Sequence, residues 1–562
     1  MNSHSISLSQ KKTFVPTFSP ETGHVAVVAL VAIAVMVPMA FWGMPSANDL
    51  SNHFRFALPF YDALSSGHLY PGWLAESNGG FGDPSFRFYP PALYYLLALG
   101  RFTTGNWFAA SMLTFTVLSL LAAIGMYLWA REFTSSQTAM WAGIFYSVAP
   151  YHLNQFFQAL MLAEFAAAAV LPFTFLFVER VCKYRRPKDV AGLAAAYGLL
   201  VLTNLPLAVI GSIALALYAL LRIEKSKVAR TISALGISAG LGLAASACYW
   251  TTMIFELKWI HGNDLNPEPG ISYSNNFVLS TFSPDSLGVW WMNILLLSSA
   301  AMFWPAAVLA SRTARQYNLK IQGKALIALV AILAMTLFMA TPLSRPVWDS
   351  VHLLQETQFP WRWFSISSIA ASLLLALSVP FWTQVMKTRK RPLVMFAIGT
   401  VAISFAFSFA HIIREARWLT PAQFEQTLSD IRGSASIPFW LPVWAHAPLP
   451  EMNALVEAGD RNIKIESWTP EKRVFHIDRG NATVARVKTF FYPLWAATAA
   501  GRVLPTSPDE HGALLIAVPP EGVSVQLDLR EPRRGRLAGG ATLAGWFLIG
   551  LLLIPIYRRT GK

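Results

Sequence analysis

Residues 26–45 read AVVALVAIAVMVPMAFWGMP, and the polar stretch ANDLSNH follows at residues 47–53. The run without a charged side chain is about 20 residues long, which is the length that an α-helix needs to cross a bilayer. The whole chain has this character, because 54% of its 562 residues are hydrophobic and 13% are charged. A soluble domain carries about twice that charged fraction. The sequence therefore predicts an all-α polytopic membrane protein.

Apolar windows of this kind recur along the chain and predict about twelve transmembrane helices. We place them at residues 24–43, 107–131, 137–151, 158–182, 189–203, 205–222, 229–252, 288–310, 324–342, 362–385, 392–411 and 539–557. The pair 189–203 and 205–222 is also compatible with one span broken near Asn204. The first span is long and ends in bulky Phe41 and Trp42, so we interpret it as a retained helix and not as a signal peptide.

The net charge of +14 indicates orientation rather than a nucleic-acid partner. Basic residues cluster in the short connections between predicted spans, which is the positive-inside pattern. It predicts a multi-pass protein of the bacterial cytoplasmic (inner) membrane with both termini in the cytoplasm. One cluster breaks the pattern, because it falls on the outer side just before the last span: Arg533, Arg534 and Arg536.

Four regions follow from these assignments. They are a cytoplasmic tail at 1–23, a transmembrane module at 24–411, an extracytoplasmic domain at 412–538, and a final helix with a tail at 539–562. The outer domain contains alternating runs such as NIKIESW, ARVKTFFY and GVSVQLDLR, which predict a small β-sandwich. The transmembrane module exposes three outer loops at residues 44–106, 253–287 and 343–361.

Asp49 and His53 open the first outer loop, directly after the first span. If this stretch is helical, both side chains lie on one face, four residues apart. A partly desolvated carboxylate there has a raised pKa, which suits a general base. The alternative interpretation is an N-cap, with Asn48 or Asp49 opening a surface helix.

Glu164 is the second candidate acid, predicted about one and a half turns inside a transmembrane helix. An ionisable group at that depth is costly and therefore indicates function, although a snorkelling or interface-paired glutamate has the same sequence signature. His152 and Asn154 precede it in a predicted short loop. Asp49 and Glu164 are also the candidate ligands if a divalent cation such as Mg²⁺ or Mn²⁺ binds at this outer face.

The stretch LQETQFPWRWF (354–364) carries the third feature, Arg362 between Trp361 and Trp363. Aromatic and basic residues at an interface are ordinary membrane anchors. The functional interpretation is that the planar guanidinium of Arg362 binds a lipid-linked phosphate, with Gln358 nearby to orient it. Lower-ranked contributors lie in the preceding outer loop: Glu256, Lys258, His261 and Asp264.

Four stretches together carry a family resemblance: ANDLSNHF, GHLYPGWLAESNGGFGDPSFRFYPPALYYL, YHLNQFFQALMLAEFAA and LQETQFPWRWF. With them, the chain resembles the GT-C superfamily of membrane glycosyltransferases. More narrowly, it resembles the bacterial membrane proteins labelled 6-pyruvoyl-tetrahydropterin synthase-related, close to the YfhO-like group. That label does not imply pterin chemistry. One departure is Gln158, which stands where the family often has an arginine.

The resemblance implies a GT-C-like bundle, about twelve helices with a small outer β domain. It also implies transfer of a sugar from a polyprenyl-phosphate donor to an envelope glycan, lipid or protein, with inversion at the anomeric carbon. Asp49 would be the base, Arg362 would bind the leaving phosphate, and His53 or a metal near Glu164 would assist. No other cofactor is expected.

Two other classes of function remain open from the sequence. A lipid or sugar flippase or transporter predicts charged pairs near the membrane midplane and repeated halves of the chain. The polar residues here cluster at the outer end instead, and no repeat is visible. A non-catalytic envelope scaffold, acting through its outer β domain, would not need Asp49.

Overall fold

The computed structural model describes residues 20–261, 272–281, 292–293, 308–312, 320–389, 391–433, 440–446, 448 and 451–554, and all structural statements refer to these residues. It confirms the predicted class, a mostly helical chain with a β-sheet region near the C-terminus. The predicted span 288–310 lies almost entirely outside the described residues, as do both chain ends and Asp264.

The helices, numbered in chain order through the described residues, are α1 (Pro20–Trp42), α2 (Asn48–Ser65), α3 (Ala92–Thr104), α4 (Trp107–Ala130), α5 (Ser136–Ser147), α6 (Pro150–Phe157), α7 (Leu162–Lys183), α8 (Pro187–Thr203), α9 (Leu205–Arg222), α10 (Val228–Ala245), α11 (Ala247–Glu256), α12 (Lys320–Ala340), α13 (Arg345–Ser350), α14 (His352–Gln355), α15 (Phe364–Val385), α16 (Arg391–Glu415), α17 (Pro421–Gly433) and α18 (Arg533–Leu553). Among the described residues, eight helical segments are long and apolar enough to cross a membrane.

Two stretches of the chain, which contain three predicted spans, are divided differently in the structure. The stretch 137–182 forms α5, the short α6 and α7, because Pro150 starts a new helix and Leu160 adopts a left-handed backbone with φ of 52°. The predicted span 229–252 divides into α10 and α11 at Ser246. The pair α8 and α9 is confirmed as two helices, since the Asn204 side chain caps α9 by accepting the Leu207 N–H at 2.8 Å.

A two-stranded antiparallel ladder ties the C-terminal end of α1 to that of α16. Strand β1 (Met44–Ser46) pairs with β2 (Arg417–Leu419). Gly43 precedes β1 with φ of 100°, and a Cβ atom at this position would lie 1.9 Å from the Leu419 carbonyl oxygen. Only glycine fits this backbone and this close approach. The ladder therefore fixes the point at which α2, with Asp49, begins.

Residues 456–529 form a β-sandwich of two antiparallel sheets. One sheet has the order β3-β6-β10-β9 and the other β4-β5-β11-β7-β8. Their strands are β3 (Val456–Glu457), β4 (Ile463–Trp468), β5 (Lys472–Ile477), β6 (Thr483–Phe490), β7 (Trp495–Ala499), β8 (Arg502–Leu504), β9 (Thr506–Pro508), β10 (Ala513–Val518) and β11 (Val523–Leu529). Alternate residues of β5, β6 and β11 are buried, as expected for packed sheets.

The first outer loop is part of the sandwich core as well as of the membrane module. Trp73 and Phe81 pack into the apolar cluster of the sandwich. Arg87, buried in the same loop, donates from Nη2 to Glu256 of α11 at 2.9 Å and to Glu531, after the last strand, at 3.1 Å. Tyr492 also donates to Glu256, at 2.9 Å. This set, the Arg87 clamp (Arg87, Glu256, Glu531 and Tyr492), joins loop, bundle and sandwich.

Candidate functional site

Asp49 lies in the first turn of α2, immediately after the β1–β2 ladder. The residue that caps this helix is Ala47, which makes no side-chain cap hydrogen bond, so the N-cap interpretation of Asp49 is wrong. Burial raises the pKa of the Asp49 carboxyl, while the positive charge of Arg362 and a hydrogen bond from Asn52 oppose the rise. The negative charge of Glu164 adds to it. Asp49 therefore lies within electrostatic reach of both other main candidates.

Glu164 is in the first turn of α7, and not one and a half turns inside a helix as predicted, because α7 starts at Leu162. The residue is 1% exposed. Its Oε1 accepts hydrogen bonds from Tyr151 at 3.0 Å, Gln155 at 2.9 Å and Ser365 at 2.9 Å. Its Oε2 accepts from Nε of Arg362 at 3.1 Å. A buried carboxylate with four donors is a structural anchor for the arginine.

Arg362 is held in the one-turn helix Pro360–Trp363, just before α15. Besides the bond from Nε to Glu164, its Nη1 donates to the Thr357 carbonyl at 2.6 Å. The guanidinium also lies over the Phe359 ring, 4.9 Å from its centroid. Within the described chain, Nη2 of Arg362 has no hydrogen-bond acceptor. This nitrogen of the fixed guanidinium is therefore available to a ligand.

Gln358 and Trp361 shape the turn that carries Arg362. Gln358 has φ of 64°, and its N–H donates to the Gln355 carbonyl at 3.0 Å. The indole of Trp361 stacks on Phe359 with centroids 4.7 Å apart and planes 7° apart. Phe359 is thus covered by an indole and a guanidinium. Both predicted residues lie beside Arg362, and their packing sets its direction.

His53 is on α2 one turn after Asp49, as the helical interpretation predicts, but it is buried. Its Nδ1 is 3.0 Å from the Tyr94 hydroxyl. Burial lowers the pKa of His53 to about 4, so the imidazole is neutral near pH 7. A neutral ring supplies no positive charge of its own to a leaving phosphate. The role of His53 as a helper in the reaction stays a prediction.

His152 and Asn154 lie on α6 and not in a loop, and both are buried. The His152 ring is stacked between Tyr146 and Phe165, each with its centroid 4.8 Å away. Its Nδ1 is 3.3 Å from Oε1 of Gln155, the residue that donates to Glu164. Burial also lowers the pKa of His152 to about 4. The α6 helix therefore supports Glu164 through Tyr151 and Gln155, and the substrate-binding roles of His152 and Asn154 stay predictions.

Tyr89 belongs to the site although the sequence did not single it out. Burial raises its pKa above the usual range, and the negative charge of Asp49 raises it further. Its ring lies 5.3 Å from Trp440 and 6.5 Å from His53, measured between centroids. The sequence feature that could have identified Tyr89 is its position in the aromatic FRFYPP stretch of the first outer loop.

The lower-ranked candidates of the second outer loop make contacts that do not involve Asp49, Glu164 or Arg362. Glu256 is a member of the Arg87 clamp. Lys258 lies over the Trp259 ring at 5.9 Å, and His261 is 3.2 Å from the Ala445 carbonyl. Arg534 lies 3.9 Å from Glu256 and stacks over Phe255 and Trp259. This pairing accounts for one arginine of the cluster Arg533, Arg534 and Arg536.

The described residues contain no group of three or more histidine, cysteine or acidic side chains that is arranged to hold a metal ion. Both oxygens of Glu164 accept hydrogen bonds from protein donors, which leaves Asp49 as the available carboxylate of the predicted pair. The pair fits a divalent cation poorly in this arrangement. The divalent cation stays a prediction, and no step below depends on it.

The fold has distant counterparts among solved glycosyltransferases. ArnT from Cupriavidus metallidurans, bound to undecaprenyl phosphate, has 14% identity and a TM-score of 0.41, over 73% of this chain and 74% of that one. Arabinofuranosyltransferase AftD from Mycobacteria has 16% identity and a TM-score of 0.45, over 72% of this chain and 27% of that one. The oligosaccharyltransferase AglB from Archaeoglobus fulgidus, in complex with an inhibitory peptide and a dolichol-phosphate, has 16% identity and a TM-score of 0.40, over 76% and 62%.

These identities and scores are too low to transfer a substrate or a residue role to this chain. No curated protein matches it significantly. A family model described as "6-pyruvoyl-tetrahydropterin synthase related domain; membrane protein" matches residues 86–412, more than half of the 562 residues. The match includes Glu164 and Arg362. The chain therefore belongs to the family of membrane proteins with a 6-pyruvoyl-tetrahydropterin synthase related domain.

Proposed function

We propose that this protein is an inverting membrane glycosyltransferase that moves a sugar from a polyprenyl phosphate to an envelope acceptor, which is a glycan, a lipid or a protein. The observation that carries the proposal is that Asp49, a half-buried carboxylate, lies within electrostatic range of the guanidinium of Arg362, which Glu164 holds in place. Such a pair provides a base for an incoming hydroxyl and a cation for an outgoing phosphate.

Asp49 is the proposed general base. In its ionised form it takes the proton of the acceptor hydroxyl as that oxygen forms a bond to the anomeric carbon. The bond from that carbon to the phosphate oxygen breaks on the opposite face of the sugar, so the configuration inverts. Because partial burial raises the carboxyl pKa, the base is stronger than an exposed aspartate. Activity should therefore rise with pH through a pKa above the usual aspartate range.

Arg362 is the proposed binding group for the phosphate. The electron pair of the breaking bond stays on the phosphate oxygen, so negative charge grows there as the sugar leaves. The Nη2 group, without an acceptor in the described chain, is positioned to donate to this oxygen. Glu164 and the Thr357 carbonyl hold the guanidinium in place before the donor arrives, so little reorganisation is needed.

The placement of the site fits a lipid-borne donor. Asp49 follows the end of α1, Glu164 opens α7 and Arg362 precedes α15, all of which are long apolar helices. Three helix ends thus meet at one membrane face, where a lipid phosphate and an aqueous acceptor come together. With the basic connections in the cytoplasm, this face is the outer side of the bacterial inner membrane.

The test is donor turnover by the full-length protein in nanodiscs. We would incubate it with a panel of polyprenyl-phosphate sugars and follow release of the lipid phosphate for wild type, Asp49→Asn and Arg362→Lys. We expect Asp49→Asn to fold normally and to lose turnover. Arg362→Lys keeps a charge but loses the planar fork, and we expect it to bind donor less tightly.

The matched control is Asp430→Asn, an exposed aspartate on α17 whose loss should leave turnover unchanged. Equal turnover in Asp49→Asn and wild type would remove Asp49 from the reaction. Lipid translocation in proteoliposomes, without release of lipid phosphate from any donor, would favour a flippase instead.

A further inference from the structure

A cavity outside the candidate site is lined mainly by apolar side chains. It has a volume of about 490 Å³ and lies between α7, α8, α9 and α10, with Leu215, Ile223, Ile232 and Gly236 among its lining residues. We propose that this cavity binds one acyl chain of an anionic phospholipid from the leaflet on the basic side of the protein. This inference is independent of the glycosyltransferase proposal.

The wall of the cavity is suited to a hydrocarbon chain. Its two polar side chains, Tyr197 and Ser212, hydrogen-bond each other at 2.9 Å and so present no unpaired group. Small residues on facing helices, such as Ala216 and Gly236, leave the space between them open. Leu220 and Ile232 are 69% and 53% exposed, so the cavity opens sideways, towards the position of the bilayer.

The mouth of the cavity carries an excess of positive charge. The turn between α9 and α10 connects two lining residues, Ile223 and Ile232, and contains Lys225 and Lys227. Arg185 reaches the same turn region, donating to the Thr231 hydroxyl at 3.2 Å. Its other recorded acceptors are backbone carbonyls. These cations outnumber the nearby carboxylate, Glu224, which already pairs with Lys227 at 2.7 Å.

The positive charge at the mouth of the cavity determines the class of lipid that binds there. Lipid tails are about as apolar as leucine, so inserting a tail between helices brings little hydrophobic gain by itself. A negative phosphate headgroup near Arg185 and Lys225 adds an attraction that a zwitterionic lipid lacks. Basic clusters beside a helix end on the cytoplasmic side attract anionic lipids for this reason. The occupant is therefore an anionic phospholipid rather than any bilayer lipid.

Gly236→Leu gives a direct test. Gly236 lines the cavity, and a Cβ atom there meets no atom within 4 Å. We therefore expect the side chain of a leucine at this position to occupy space in the cavity. Gly550 on α18 is also open, does not line the cavity, and provides the matched control Gly550→Leu. We would titrate the purified full-length protein with phosphatidylglycerol or phosphatidylcholine and count bound lipids by native mass spectrometry.

We expect wild type and Gly550→Leu to bind phosphatidylglycerol in preference to phosphatidylcholine, and Gly236→Leu to lose that binding. Lys225→Gln should weaken phosphatidylglycerol binding by about fivefold and leave phosphatidylcholine binding unchanged. Equal binding by Gly236→Leu and wild type would overturn the site. Equal affinity of wild type for the two lipids would overturn the assignment of an anionic headgroup. The measurement uses no sugar donor, so its outcome does not depend on the proposed reaction.

Discussion

A buried glutamate stands near each end of α7, and each holds an arginine from another helix or turn. Glu164 binds Arg362 at 3.1 Å, and Glu179 binds Arg222 at 2.6 Å. Both glutamates are 1% exposed. They differ in position, since only Glu164 is near Asp49. Glu179 is thus a control for Glu164, because both form a buried ion pair but only Glu164 can position a residue near Asp49.

Glu164→Gln keeps the size of the side chain but removes the charge that holds Arg362. Breaking a buried ion pair costs about 3–5 kcal/mol, so we expect a lower Tm for both Glu164→Gln and Glu179→Gln. Misplacement of Arg362 should also reduce kcat by about 10²-fold in Glu164→Gln. Glu179→Gln should retain kcat per folded molecule. Equal kcat losses in the two variants would contradict the positioning role of Glu164.

Asp83 is predicted to make stability depend on pH. It is fully buried in the first outer loop, and its Oδ1 accepts the Ser85 N–H at 2.6 Å. Hydrogen bonds from Ser85 and Asn78 favour the charged form of this carboxyl, but they do not outweigh its burial. Burial raises the pKa of Asp83 to about 7. The folded form therefore keeps the proton between about pH 4 and pH 7 while the unfolded form releases it, and stability falls as pH rises through that range.

Asp83→Asn cannot ionise, so its Tm relative to wild type should rise between pH 5 and pH 8. The expected gain at pH 8 is of the order of 1–3 kcal/mol, because the folded wild type must then either bury a charged carboxylate or take up a proton. Asp430→Asn, at an exposed position, should give no pH-dependent difference. A Tm difference for Asp83→Asn that is the same at pH 5 and pH 8 would refute the assignment.

At the scale of elements, the β1–β2 ladder determines where α2 and Asp49 begin. Gly43→Ala places a Cβ against the Leu419 carbonyl and forces alanine into a left-handed backbone. We expect a loss of at least 1–3 kcal/mol and a further loss of turnover, because the start of α2 shifts. Turnover per folded molecule and Tm would both be measured.

Gly67→Ala separates the two effects. Gly67 has φ of 93° after the other end of α2, but a Cβ there meets nothing within 4 Å. This variant carries the backbone strain without the clash, so we expect lower stability with normal turnover. Normal turnover in Gly43→Ala as well would show that the ladder does not position Asp49.

For the whole molecule, the Arg87 clamp is the main polar link between membrane module and sandwich that we describe. Arg87→Leu leaves Glu256 buried without its arginine, at an expected cost of about 3–5 kcal/mol. The sandwich should then unfold or be cleaved by protease before the bundle. Arg432→Leu breaks an exposed pair with Asp62 and should cost at most about 1 kcal/mol. A single cooperative transition in Arg87→Leu, as in wild type, would argue against the clamp.

The class of the protein could be predicted from the sequence, because apolar windows are visible one residue at a time. Asp49, Glu164 and Arg362 could be singled out as exceptional charges, but the bond between Glu164 and Arg362 could not be predicted, since 198 positions separate them. The burial of His53 and His152 could not be predicted either, and their functional roles stay predictions. Burial decides the charge of a histidine, and burial depends on packing partners from distant segments, such as Tyr94 for His53 and Tyr146 for His152.

The strands of the sandwich lie between α16 and α18 in the chain. Both ends of the sandwich are therefore joined covalently to membrane helices. If the clamp breaks, Glu531 and Arg87 stay connected through one chain, so the length of that chain and not the amount of protein sets their effective concentration. We therefore expect separation of the two parts to be unimolecular and independent of dilution. The sandwich should detach from the membrane module and return to it within one molecule, and it should not dissociate as a subunit does.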